Sequence, residues 1–405
     1  MTMFLRALSR AAVFVAAVLV AATAAAQQST TLTDLASSES SITPGWSLTP
    51  GLLLSRTYDD NVLLRGSGDP AEHDYVNIVN PTADVIFNGP HATFSAMYDG
   101  AFVAYSNLST LNSYNQRASL NGKQQLSKRL AFVVEANAAA APTTEFLQIS
   151  GIPFVRTGVF TDAVRAGLES AVTGHTTITV DGRVEQAIFN ETEQAASLLL
   201  GGRSIAADLG VRHRISERTT LTADLDEQHA TIGSAQEQFD IQHAVAGVER
   251  QISENIRVFG GGGISRLGAS AFGPARIGPS VKLGLVEHYR ATIIDLSFNR
   301  SFVPSFGFGG TTQNEEVLGH IHLPITRWLY TTDLVSWGRD DPLVIDVSRL
   351  RTVWFQIALG YVALPWMRIE GFYNGTRQDA GVANALLTHN QYGIQVITGK
   401  PVRVR

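Results

Sequence analysis

From about residue 44 onward, apolar and polar side chains alternate in long runs, and short turn signals break the alternation roughly every 40 residues. The turns fall at Asn88-Gly89-Pro90, Ser127-Lys128-Arg129, Thr173-Gly174-His175, Ser216-Glu217-Arg218, Ser253-Glu254-Asn255, Glu287-His288-Tyr289, Pro324-Ile325-Thr326 and Leu364-Pro365-Trp366. Each interval holds two runs, so with one flanking strand at either end the pattern predicts about 18 strands, with 16 as the alternative. The fold class expected is all-β: a transmembrane, antiparallel, up-and-down β-barrel. Its strands turn side chains alternately to lipid and to a lumen. The longer gaps, at 58–73, 106–112, 140–154, 190–197, 230–237, 268–276, 303–313, 339–347 and 376–388, lie on the opposite rim and are assigned to the outside.

The faces can be read residue by residue. Val164, Ala166, Leu168 and Val172 oppose Arg165 and Glu169, while Ile178, Val180, Val184 and Ile188 oppose Asp181, Arg183 and Glu185. Ile205, Ala207, Leu209 and Val211 oppose Asp208 and Arg212, and Leu221, Ala223 and Leu225 oppose Asp224 and Asp226. Ile294, Leu296 and Phe298 oppose Asp295, and Val317, Ile321 and Leu323 oppose Glu316, His320 and His322. A charge facing lipid near the midplane costs about 2–4 kcal/mol for Arg or Lys, so these polar residues, with Asp333, are expected to line the lumen. A soluble β-sandwich shows the same one-dimensional alternation. Strand length, the recurring turns, and aromatic residues near strand ends (Trp328, Tyr330, Trp366, Tyr361, Tyr98, Phe102 and Tyr392) favour the barrel.

Two stretches depart from the pattern. Residues 239–263 place Ile241 and Val245 on one side and Val248 on the other, and end in Gly260 to Gly263, which suggests a bulge or strong curvature. The chain closes on Val402-Arg403-Val404-Arg405 rather than on the aromatic residue usual for such barrels.

Composition refines this picture. Arg6 and Arg10, the apolar run Ala11 to Ala22, and Ala24-Ala25-Ala26 read as a signal peptide over residues 1–26. Residues 27–43 read as a short periplasmic tail, leaving 44–405 as one barrel domain. The implied location is the bacterial outer membrane, with lipid and the barrel-insertion machinery as partners. With no cysteine, thiolate chemistry and disulfides are excluded. A net charge of -5 gives no case for nucleic acid.

Candidate chemistry is sparse. His320 and His322 form an H-x-H pair on one strand face, but two ligands do not make a metal site. No nucleophile elbow or phosphate loop is present, so neither an enzyme nor a cofactor is expected. The inward charges are mixed in sign, which suits a wet wall more than a single-ion pore. Trp354 and Trp337 are able to stack on sugar faces if they point inward. A general diffusion porin would need a loop folded inward, the best candidates being 58–73 and 376–388.

Tyr58-Asp59-Asp60-Asn61 closes the first strand, after Leu52-Leu53-Leu54-Ser55-Arg56-Thr57. Asp and Asn suit loop chemistry there. With the signal peptide and a barrel of this size, that stretch resembles the β-barrel porin 2 family, whose members are often associated with exopolysaccharide secretion. The resemblance implies an outer-membrane channel exporting a polar polymer, with periplasmic polysaccharide-export components as partners. The alternatives are a general porin for small hydrophilic solutes and a closed structural or adhesive barrel.

Overall fold

A computed structural model describes residues 44–404, apart from 148–151, 191–198, 234–236, 271–272, 308, 344–348 and 382–385. The segments read as signal peptide and tail, 1–43, lie outside the described residues. The strands are β1 (Gly45–Asp59), β2 (Asp74–Asn88), β3 (Ala92–Tyr105), β4 (Ser113–Gln125), β5 (Leu130–Ala141), β6 (Val159–Ala171), β7 (Thr176–Phe189), β8 (Gly202–Ser216) and β9 (Thr219–Ile232). They continue as β10 (Glu237–Gln251), β11 (Ile256–Leu267), β12 (Arg276–Tyr289), β13 (Thr292–Pro304), β14 (Thr311–Pro324), β15 (Leu329–Pro342), β16 (Leu350–Leu364), β17 (Met367–Asp379), β18 (Leu386–Gly399) and the short β19 (Val402–Val404). Each pairs antiparallel with its neighbours in sequence, and β1 pairs with β18, which closes the sheet. β19 continues β18: Gly399 faces Gly51 and Val402 faces Leu48, so the register runs through Pro401 without a slip. The result is a closed 18-strand up-and-down barrel, which leaves no sheet edge and satisfies the backbone in lipid.

The short turns repeat one device. Ser127, Thr173, Ser216, Ser253 and Thr326 each accept, on their hydroxyl, a backbone N–H from two residues ahead. This is why Ser and Thr punctuate the sequence. One turn is displaced: β12 runs on through Tyr289, and the reversal occurs at Arg290, whose φ is 57°.

The outer face is apolar. Leu54, Val79, Phe102, Val180, Ile205, Leu225, Ile264, Leu296 and Ile357 stand exposed, and cross-strand partners share their face. Tyr98, Phe102, Tyr361, Tyr392, Trp328 and Trp366 also stand exposed. Tyr330 does not join them: it faces inward, 4% exposed, with its ring over Gly360 and its hydroxyl donating to Glu370. No bulge marks Gly260 to Gly263. They pair in unbroken register with residues 245–248, and a Cβ at Gly263 would sit 1.8 Å from the Ala244 carbonyl oxygen. The glycine lets two backbones approach.

Candidate functional site: the lumen and its outer constriction

The strand registers place the polar residues of β6–β12 on the inner wall. Asp181, Asp208, Asp226, His243 and Ser265 lie in one lateral row, directly opposed strand to strand. The adjacent row carries Glu135, Arg165 and Arg183. Directly opposed like charges repel, and the arginine row offsets this. Arg165 grips Asp181 with two bonds, of 2.6 and 2.9 Å, and lies 3.6 Å from Glu135. Arg183 lies 3.3 Å from Glu185 and 3.7 Å from Asp226. Lys123 pairs with Glu169 at 2.7 Å, and Arg212 pairs with Glu249. Asp224 faces inward across from Gly210 and Val245. A cavity of about 630 Å³ opens over this charged wall.

On β13 and β14, Asp295, Glu316, His320 and His322 also face inward. The two histidines do not converge: His322 bonds Thr332 at 2.9 Å, and His320 lies 3.8 Å from Asp295. Asp333 departs from the sequence expectation. It lies directly across from Ile321 and Ile357, the latter exposed, and therefore faces lipid with Thr331 3.2 Å away. Between 329 and 337, apolar residues occupy both faces, so alternation alone could not place it. Trp337 also faces outward, across from Val353, whereas Trp354 faces inward.

The wall formed by β1, β2 and β16–β18 has a different chemistry. Ser55, Thr57, Asn80, Gln356, Asn374, Gln391 and Gln395 line a cavity of about 120 Å³ with Trp354 and Phe372. Amides, hydroxyls and aromatic rings predominate in it, with Asp59, Glu145, Arg156 and His389 completing the lining and Glu370 bonded to Gln395.

The longer loops fold inward over the outer mouth. Between β5 and β6, residues 152–158 reach β17, where Phe154 N–H donates to Gln378 at 2.6 Å and the Gln378 amide donates to the Ile152 carbonyl at 3.2 Å. Glu145 in the same connection meets His389 at 2.9 Å, and the other ring nitrogen of His389 meets Asp59 at 2.8 Å. Arg156 donates to the carbonyls of Val62 and Leu111 and to the Tyr105 hydroxyl. Around these anchors sits an apolar plug. Ile152, Leu199, Phe302 and Phe306 pack against the inward residues Ile232, Phe239 and Ile241. Phe302 reaches it because β13 separates from β12 beyond Arg300 and bends inward, bringing its ring against Gly278.

This plug accounts for 239–263: strand alternation persists, but near the outer mouth the inner face is apolar too. Residues 152–158 fold inward; of 376–388, Leu387 packs with Leu64 and Phe154, and 382–385 lie outside the described residues. Segment 58–73 also folds in, with Val62 packed against Val76 and Val103.

The stretch Tyr58 to Asn61 is a seam fastener. Tyr58 stands in an aromatic group with Tyr75 and Tyr392. Asp59 accepts from Gln391, and Asp60 accepts from both the backbone and side chain of Asn390. Asn61 donates to the carbonyls of Arg65 and Thr388. Asp59, Asp60 and His389 have ligand atoms close enough to share a metal ion. His389 Nε2 already bonds Asp59, so a metal there would replace that bond, leaving Nδ1 against Glu145.

No protein-family model matches this chain, and neither does any curated protein. Among solved structures the chain is similar to OpdQ of Pseudomonas aeruginosa, with TM-score 0.45 and 8% identity over 88% of this chain and 98% of that one. It is also similar to OccAB4 of Acinetobacter baumannii, with TM-score 0.44 and 7% identity over 89% and 99% of the two chains. The ferric enterobactin receptor PfeA of Pseudomonas aeruginosa gives TM-score 0.42 and 8% identity over 88% and 81%. The closed strand ring, apolar outside and polar inside, makes this chain a porin-like barrel of the outer-membrane type.

Proposed function

We propose that the protein is a bacterial outer-membrane channel for small polar solutes, with the β5–β6 connection setting what passes. The observation that carries this reading is the anchoring of that segment to Gln378 and His389 on a distant wall, above a lumen lined by charge on one side and amides on the other. No bond chemistry is involved. Water-filled space replaces bilayer, and inward polar groups exchange hydrogen bonds with a solute that must also be released. The lumen-lining set extends from Arg165 and Glu169 to Glu316, His320 and His322, without Asp333. Delivery through a removable leader at 1–26 and insertion by the barrel machinery belong to the same reading.

Export of a polymer such as an exopolysaccharide is the second reading. It is favoured by the wall bearing Trp354, Phe372 and five amide side chains, along which a neutral sugar chain could slide. The anchored segment lies across that route and would have to swing aside, which makes small solutes the first choice. Single-channel conductance of the reconstituted mature protein, with and without neutral oligosaccharides, separates the two. Conductance indifferent to long oligosaccharides supports the small-solute channel. Length-dependent block supports the polymer route. The absence of any conductance refutes both.

A further inference from the structure

Above the apolar band, the outer face of β13–β17 carries one lateral row of directly opposed charges: Arg300, Glu315, Arg339, Arg351 and Asp379. Part of the row is internally neutralised. Arg300 lies 3.3 Å from Glu315, and Arg339 lies 2.6 Å from Asp341. Arg351 is different. It stands directly across from Arg339 and is exposed, and among the described residues no hydrogen bond or ion pair engages it. Arg377, exposed and diagonally adjacent on β17, is likewise unengaged. Cross-strand like charges destabilise a sheet unless something of opposite sign sits between them.

The depth of these arginines says what that is. Below Arg351 the outward positions of β16 are Val353, Phe355, Ile357, Leu359 and Tyr361. At about 2.5 Å of axial rise per residue in a tilted strand, this run spans roughly the 25 Å height of an apolar band. Arg351 and Arg377 therefore sit at its outer edge, at headgroup level. A guanidinium fork matches two phosphate oxygens, and at the membrane surface such bonds are less hydrated than in water.

We propose that Arg351 and Arg377 bind the phosphomonoester of an anionic lipid headgroup in the outer leaflet. The bound lipid relieves the repulsion within the row and fastens β16 and β17 together from outside.

The test uses the folded chain in vesicles of phosphatidylcholine, whose only phosphate is a zwitterionic diester, with or without lipid A as the phosphomonoester-bearing probe, and reads the heat-unfolding midpoint. Lipid A is expected to raise the wild-type midpoint by about 3 °C, as expected for a ligand that binds only the folded state. Arg351→Gln/Arg377→Gln is expected to lose that rise, with a midpoint in phosphatidylcholine alone no lower than the wild type's, because the Arg339–Arg351 repulsion is gone. Arg203→Gln, which alters an outward arginine on β8, keeps the rise. An undiminished rise in the double variant, or none in the wild type, overturns the proposal. So does an equal rise with dephosphorylated lipid A, or with inorganic phosphate in plain phosphatidylcholine vesicles.

Discussion

Gln378→Ala tests whether the β5–β6 connection controls the pore. The Gln378 amide makes two bonds to that segment, from Phe154 N–H at 2.6 Å and to the Ile152 carbonyl at 3.2 Å, and one to Thr352 on its own wall at 3.1 Å. A buried hydrogen bond contributes about 1 kcal/mol net, so losing the two loop bonds weakens the closed arrangement by about 2 kcal/mol. At 1.36 kcal/mol per factor of ten, the ratio of anchored to released loop falls about 30-fold. The barrel wall is unchanged, because the ladder between β16 and β17 is made by backbone. Single-channel recording in a planar bilayer should show a corresponding rise in high-conductance dwell time. Adding Glu145→Gln, which removes the carboxylate charge facing His389, should raise it further. Unchanged dwell times in both variants, with circular dichroism showing a folded barrel, would refute the argument that these anchors hold the constriction.

Asp333→Leu removes a carboxylate from the lipid face and should stabilise the barrel by up to about 2 kcal/mol in urea unfolding, whereas Asp208→Leu on the inner wall should give no gain. Arg165→Ala leaves the nearly inaccessible Asp181 carboxylate without its two-bond partner; a loss of about 2 kcal/mol is expected, and Arg165→Ala/Asp181→Ala should recover most of it in the same assay. Gly360→Ala places a Cβ 2.1 Å from the Tyr330 ring, so the ring must leave its bond to Glu370, and heat unfolding should report about 2 kcal/mol of destabilisation.

Legibility in the sequence followed the physics of each element. Alternation was reliable where the two faces meet opposite solvents, as in β6–β9, and the inward positions of Arg165, Asp181, Asp208 and Asp226 follow from it. It failed in β15, where Leu329, Leu334, Val335 and Trp337 put apolar groups on both faces: Asp333 was assigned to the lumen and Tyr330 to the outer girdle, and each lies on the opposite face. It was misleading in β10, where Phe239 and Ile241 resemble a lipid face but meet folded-in loops. Extra apolar residues near the outer ends of β9 and β10 were the available sign of a plug.

By itself the sequence determined a strand number of about 18, with 16 left open, the short-turn rim and most of the side-chain faces. These depend on local periodicity and on Ser or Thr hydroxyls capping their own turns. Tertiary structure alone decided which loop enters the lumen, that Glu145 meets His389 across a separation of 244 residues, and that Arg351 opposes Arg339. Those contacts depend on barrel closure and on the lateral register of strands. Neither quantity is encoded in any single run of residues, because register is set by the summed fit of all neighbouring strands around the ring.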